Sequence, residues 1–258
     1  MATTTWLKVL AVLGALAVGS ASAEETTAPP AVAYERDAKA LAALQSMGSQ
    51  LRALKRFEID AQSTTDTVLD TGQTLQLPHR TRLKAEPPSK LQITVQSGPQ
   101  SKSLYYDGSH FVLYGSLHNA YSQLPAPANI SDLLAVLDSE YGIQLPLADL
   151  FYWGTEQAPL DQVQAALFVG VEQLGEQTCE HYAYRQAGVD WQLWLQTGAQ
   201  ALPCQVLITN LNDEARPQHK VRLHWNLNPV FDAATFSFIA PTNAQPVRLA
   251  PRQQEAQP

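Results

Sequence analysis

The sequence predicts an α+β protein with one long antiparallel sheet, which a helix opens and a second helical segment interrupts. Apolar residues recur every three or four positions between Leu41 and Leu54, which is the spacing of one helix face. From Phe57 onward apolar and polar residues alternate, which is the period of a half-buried strand. Turn-like residues separate later strands, as a sequential antiparallel meander requires.

The first 23 residues have the pattern of a secretory signal peptide. Lys8 precedes an apolar run over residues 9–18, and Ala21-Ser22-Ala23 is an A-x-A cleavage site. The run is far shorter than the roughly 20 residues that cross a bilayer. We therefore expect cleavage after Ala23 and a soluble, exported chain. Residues 24–33 contain two prolines and no periodicity, which predicts a flexible leader.

The first helix is predicted over about residues 36–54. It carries a leucine stripe on one face, and its opposite face is polar: Arg36, Lys39, Gln45, Gln50 and Arg52. Six strands then follow at about residues 57–62, 75–85, 91–96, 104–106, 110–114 and 120–124. Asp107-Gly108 between aromatic, β-branched runs marks the clearest hairpin, because both residues tolerate positive φ.

Helical signals occupy the middle of the chain. Ser131 and Asp132 are candidate caps of a helix that carries Leu133 and Leu137. Pro146 stands where a first-turn proline is tolerated, and a third short helix is predicted over residues 159–166. Five further strands are predicted over residues 167–174, 179–186, 190–196, 203–210 and 219–226.

The order of these elements, with the Tyr105-Tyr106-Asp107-Gly108 hairpin and the Tyr121-Ser122-Gln123-Leu124-Pro125 strand, resembles a bacterial family of predicted periplasmic proteins. That family is similar to the lipoprotein carriers of the LolA and LolB type. The resemblance implies a strongly bent sheet, or half-barrel, over residues 34–240, with helices covering its concave face and a flexible tail at 241–258. It also implies a periplasmic location and an apolar cavity that holds acyl chains.

The aromatic and leucine side chains fit either an ordinary core or the lining of such a cavity. Trp191 and Leu193 share one strand face while Gln192 and Trp194 share the other, so one tryptophan is expected to face away. Ten residues are candidates for the lining: Leu44, Tyr106, Phe111, Leu113, Leu147, Leu150, Phe151, Trp153, Trp191 and Trp194.

Cys179 and Cys204 are the two cysteines, and in an exported chain they predict one disulfide, with two free buried thiols as the alternative. In a simple meander they would lie two strands apart, at about 9–10 Å. That distance exceeds bridging reach unless the sheet coils or a bulge intervenes.

No pattern in the sequence indicates catalysis, a metal or a cofactor. The six histidines form no H-E-x-x-H motif, and His219 and His224 are predicted on opposite strand faces. There is no G-x-S-x-G elbow and no glycine-rich phosphate loop after a strand. The net charge of −7 and the scattered basic residues argue against nucleic acid as a partner.

Together with this resemblance, the sequence therefore predicts a non-enzymatic periplasmic binding or carrier protein for a lipid or other apolar ligand, with a membrane protein or lipoprotein as a possible partner. The alternative is a signalling or interaction module of the same fold. A third hypothesis is a hydrolase whose site the sequence hides.

Overall fold

A computed structural model describes residues 34–158, 160–198 and 200–252. The predicted signal peptide (1–23), the leader (24–33) and residues 253–258 of the predicted tail lie outside the described residues. The described chain contains no helix that is both long and apolar enough to span a membrane.

Helix α1 spans Ala38–Ala53 and α2 spans Ile130–Tyr141; two short 3₁₀ helices follow at Ala148–Phe151 and Leu160–Gln162. The first six strands are β1 Phe57–Val68, β2 Thr74–Glu86, β3 Lys90–Ser97, β4 Gln100–Tyr106, β5 His110–Gly115 and β6 Ala120–Pro125. The others are β7 Ala165–Leu174, β8 Gln177–Gln186, β9 Val189–Gln196, β10 Pro203–Asn210, β11 Gln218–Asn226 and β12 Gln245–Pro246.

These strands form one open sheet in the order β12-β6-β5-β4-β3-β2-β1-β11-β10-β9-β8-β7. It consists of two sequential antiparallel meanders, β1–β6 and β7–β11, which join where β1 pairs with β11. The predicted α+β class, with an antiparallel sheet and helices against one face, is confirmed, and each of the eleven predicted strands is present. We call the face that α1 and α2 cover the concave face and the other the convex face.

Helix α1 covers the concave face with the predicted stripe. Asp37 caps the helix by accepting a hydrogen bond from the Lys39 amide at 2.7 Å. Leu44 and Leu51 are buried, and the Tyr184 hydroxyl on β8 donates to the Ala40 carbonyl at 2.9 Å. The stripe therefore contributes to the main core, as the 3.6-residue period requires.

The helical middle differs from the prediction in three places. The cap of α2 is Asn129, whose Oδ1 accepts from the Asp132 amide at 2.9 Å, and not Ser131 or Asp132. After Pro146, Leu147 adopts a φ of 64°, a left-handed conformation that stops an α-helix, so only a 3₁₀ turn follows. The predicted helix over 159–166 is reduced to the 3₁₀ turn Leu160–Gln162, because β7 begins at Ala165.

Residues 241–252 of the predicted flexible tail pack against the sheet edge. β12 pairs in parallel with β6, and the Val247 amide donates to the Tyr121 carbonyl at 2.8 Å. The Arg252 amide then reaches the Glu140 carbonyl of α2 at 2.6 Å. An edge strand offers unpaired backbone groups, and this arm satisfies some of them on β6.

The predicted disulfide is confirmed between Cys179 on β8 and Cys204 on β10, with a Cα–Cα distance of 6.9 Å. The two strands are not neighbours, because β9 lies between them. The pairing of β10 with β9 slips between Pro203 and Gln205, so Cys204 is the extra residue of a bulge. The bulge therefore brings the two cysteines within reach, which a regular meander would not allow.

Candidate functional site

A cavity of about 180 Å³ lies between the concave face and the segment that contains the first 3₁₀ turn. Eleven apolar residues line it: Met47, Leu147, Leu150, Trp153, Val189, Trp191, Leu193, Pro203, Val206, Val221 and Leu223. Three polar residues complete the lining: Asp149, Gln186 and His219. The site is therefore an apolar chamber with a small set of polar groups, as in most small-molecule sites.

The floor of the cavity follows from strand register. Leu193 on β9 pairs with Val206 on β10, and Val206 pairs with Val221 on β11. Directly paired residues project from the same face of a sheet, so these three side chains form one apolar row across the floor.

The roof is the segment 147–153, which helix α1 holds in place. Arg52 donates from Nη1 to the Phe151 carbonyl at 2.8 Å and from Nη2 to the Leu150 carbonyl at 2.5 Å. Arg52 is exposed, as its place on the polar face of α1 predicts, and the tip of its side chain satisfies these two carbonyls at the end of the 3₁₀ turn. Its partial burial lowers the pKa of its guanidinium.

A close backbone contact also fixes the roof to α1. A Cβ atom at Gly48 would lie 2.7 Å from the Gly154 Cα, so only glycine fits there. Gly154 itself has a φ of 80°. Next to it, the Trp153 ring lies 5.4 Å from the Trp191 ring between their centroids, which joins the roof to the floor.

Asp149 and His219 are the ionisable groups of the cavity. Asp149 is itself an exposed residue, but the protein packed around it raises the pKa of its carboxyl, and the charge of His219 opposes that rise. Burial lowers the pKa of His219, whose Nδ1 lies 2.8 Å from the Thr65 hydroxyl. Within the described part of the chain, no group of three or more His, Cys, Asp or Glu could hold a metal ion.

Replacement of Asp149 by Asn is expected to stabilise the protein at neutral pH. A raised pKa means that the folded state favours the protonated carboxyl, so ionisation costs stability as the pH rises above the ordinary value of 3.8. The stability difference between Asp149→Asn and the wild type should therefore grow between about pH 3 and pH 7. Urea denaturation at both pH values measures it, and a difference independent of pH would contradict the desolvation of Asp149.

Four of the ten predicted lining residues meet at the cavity: Leu147, Leu150, Trp153 and Trp191. Five others belong to the main core and not to the lining: Leu44, Tyr106, Phe111 and Phe151 are buried, and Leu113 is partly buried. Trp194 is on the convex face, where it packs with the disulfide and stacks on His181 at 4.1 Å between ring centroids. The sequence-based expectation that one tryptophan faces away from the other is therefore correct, and Trp194 is not part of the lining.

The polar residues of the site do not follow from the sequence alone. No motif marks Asp149, and His219 is one of six histidines that form no metal-binding motif. A signal for His219 exists, since it shares a strand face with Val221 and Leu223 and therefore projects toward the core. No sequence pattern links Asp149 to that strand, because the two residues meet only through the fold.

Three solved structures match most of this chain at low sequence identity. An uncharacterized conserved protein from Thermus thermophilus is 12% identical, with a TM-score of 0.46, over 81% of this chain and 99% of that one. The lipoprotein LppX of Mycobacterium tuberculosis is 12% identical, with a TM-score of 0.48, over 76% and 98%. A LolA superfamily protein from Nitrosomonas europaea is 8% identical, with a TM-score of 0.36, over 77% and 97%.

Among curated proteins, none matches this chain. A family model described as predicted periplasmic protein (DUF2092) matches residues 40–250, which is most of the chain. The resemblance inferred from the order of elements is thereby confirmed, and the chain belongs to the DUF2092 family of predicted periplasmic proteins.

Proposed function

We propose that the protein is a non-enzymatic periplasmic carrier that binds a small apolar ligand, such as a single acyl chain, in the cavity beneath segment 147–153. Under this proposal the chain is exported with cleavage after Ala23. The observation that carries the proposal is the partly open cavity, whose lining is mostly apolar. Burial there would stabilise a ligand by about 25 cal/mol per Å² of apolar surface.

The size of the cavity limits the ligand. Its volume of about 180 Å³ is below the roughly 300–1,000 Å³ of typical small-molecule sites. One acyl chain, or the end of one, suits this space better than a lipid with several chains. Asp149 favours a neutral or hydrogen-bond-donating head over a carboxylate, because two carboxylates placed side by side repel each other.

Filling the cavity tests the proposal. Val206 lines the floor, so Val206→Phe should place a ring in the ligand space and weaken binding of an apolar fluorescent probe at least about tenfold. The matched control is Val247→Phe, because Val247 is 51% exposed and lies outside the cavity. A fatty acid and the fatty alcohol of equal length serve as competitors, and the alcohol is expected to displace the probe more effectively.

Two results would contradict the carrier function. The first is a wild-type protein that binds no apolar probe, and the second is equal binding by the wild type and Val206→Phe. The interaction-module function would then take its place. One observation favours that alternative: the outermost strand β7 exposes three large apolar residues, Leu167, Val169 and Val171.

A further inference from the structure

A row of alternating amide and guanidinium side chains crosses the convex face, opposite the cavity. Gln62 on β1 pairs with Arg80 on β2 and with Arg222 on β11. Arg80 pairs in turn with Gln96 on β3, and Arg222 with Gln205 on β10. All five side chains line one open groove of about 630 Å³.

The groove is positively charged on a chain whose net charge is −7. Arg80, Lys220 and Arg222 line it together with His79, and no Asp or Glu does. Arg80 is neutralised by Asp60, with 2.6 Å between its Nη2 and the Asp60 Oδ2. Lys220 and Arg222 are two residues apart on one strand, so they project from the same face. They are the cations that remain for a ligand.

Arg222 lacks the partners that a guanidinium needs. Within residues 34–158, 160–198 and 200–252, its side chain makes no hydrogen bond or ion pair, and its Nε is buried without an acceptor. The turn between β7 and β8 packs over it, since a Cβ atom at Gly175 would lie 2.8 Å from its Nη2. A buried donor without an acceptor costs stability, so the described protein does not satisfy this guanidinium. Arg222 is partly exposed, and a ligand in the groove would meet its terminal nitrogens rather than the buried Nε.

We propose that this groove binds an oxyanion, a phosphate or carboxylate group, between Arg222 and Lys220. Arg222 offers a planar fork of donors that matches such oxygens, and Lys220 adds a second positive charge. The amides of Gln62 and Gln205 flank Arg222 and supply further donors. The group can belong to a free anion or to a lipid headgroup, which share this chemistry. The site is on the opposite face from the cavity and does not depend on the carrier function.

Two variants and a matched control test the site. Arg222→Gln and Lys220→Gln each remove one charge from the groove. Arg82→Gln removes the same charge outside it, since Arg82 does not line the groove and is about half exposed. Binding of inorganic phosphate is measured by calorimetry at constant ionic strength. Cosedimentation with phosphatidylglycerol vesicles, against phosphatidylcholine vesicles, measures headgroup binding.

The wild type and Arg82→Gln are expected to bind phosphate or phosphatidylglycerol with the same affinity. Arg222→Gln and Lys220→Gln are each expected to bind at least about tenfold more weakly. Binding of vesicles that free phosphate does not compete would assign the site to a headgroup, and competition would assign it to oxyanions in general. If the wild type bound neither probe, the proposal would be overturned. An equal loss of binding in Arg222→Gln, Lys220→Gln and Arg82→Gln would overturn it too, because such a loss depends on net charge alone. Lys220 is exposed, so Lys220→Gln should fold and keep the test valid even if Arg222→Gln unfolds.

Discussion

Replacement of Leu44 by Asp is expected to lower the free energy of unfolding by about 4 kcal/mol, the largest effect among the single substitutions considered. Leu44 is 1% exposed and belongs to the main core between α1 and the concave face. A carboxyl there has no water, so it must either stay protonated at a cost or bring water into the core. Urea denaturation of the purified variant measures the loss.

The matched control is Gln45→Asp, which introduces the same side chain at an exposed position of the same helix. Its cost is expected to be about 0.5 kcal/mol, from helix propensity alone. If Leu44→Asp and Gln45→Asp unfolded at the same urea concentration, α1 would be peripheral to the core. Helix α1 could then not be the element that holds the roof of the cavity in place.

Removal of the disulfide by the double change Cys179→Ala and Cys204→Ala is expected to cost about 3 kcal/mol. The bond closes a loop with a sequence separation of 25, and the loop-entropy model assigns most of the loss to the unfolded chain. Thermal and urea unfolding of the double variant, compared with wild type under oxidising conditions, measure it.

A reducing agent supplies the control for this prediction. It should destabilise the wild type by a similar amount and leave the double variant unchanged. Two titratable thiols in denatured, unreduced wild type would show that the bond is absent. A double variant as stable as the wild type would show that the bond does not lower the conformational entropy of the unfolded chain.

Local patterns in the sequence predicted the strands and the first helix because each depends on nearest neighbours. Phe57, Ile59 and Ala61 alternate with polar residues and are buried on one face, as their period requires. The same alternation predicts that Trp191 and Trp194 lie on opposite faces of β9, as they do. Leu44 and Leu51 were likewise predicted on the buried face of α1 from their spacing alone.

The features that could not be predicted all depend on contacts between distant segments. The bulge at Cys204 changes the register of one strand pair without any glycine or proline signature at Cys204 itself. Asp149 and His219 meet at one cavity only because the fold places the 3₁₀ turn Ala148–Phe151 over β11. Gln245 pairs with β6 because an edge strand has unpaired backbone groups. The proline-containing tail gives no local sign of this pairing.

The join between β1 and β11 has a consequence for how the protein reaches its native state. Every other antiparallel pair connects strands adjacent in sequence, whereas this one matches Glu58 with Asn226. Hairpins close quickly and long loops close slowly, so each meander should form before the two dock. Until docking, β1 and β11 are both open edges with alternating apolar residues, which is the surface most prone to pairing with another chain. Refolding yield should therefore fall with protein concentration, and most steeply in variants that slow this one pairing.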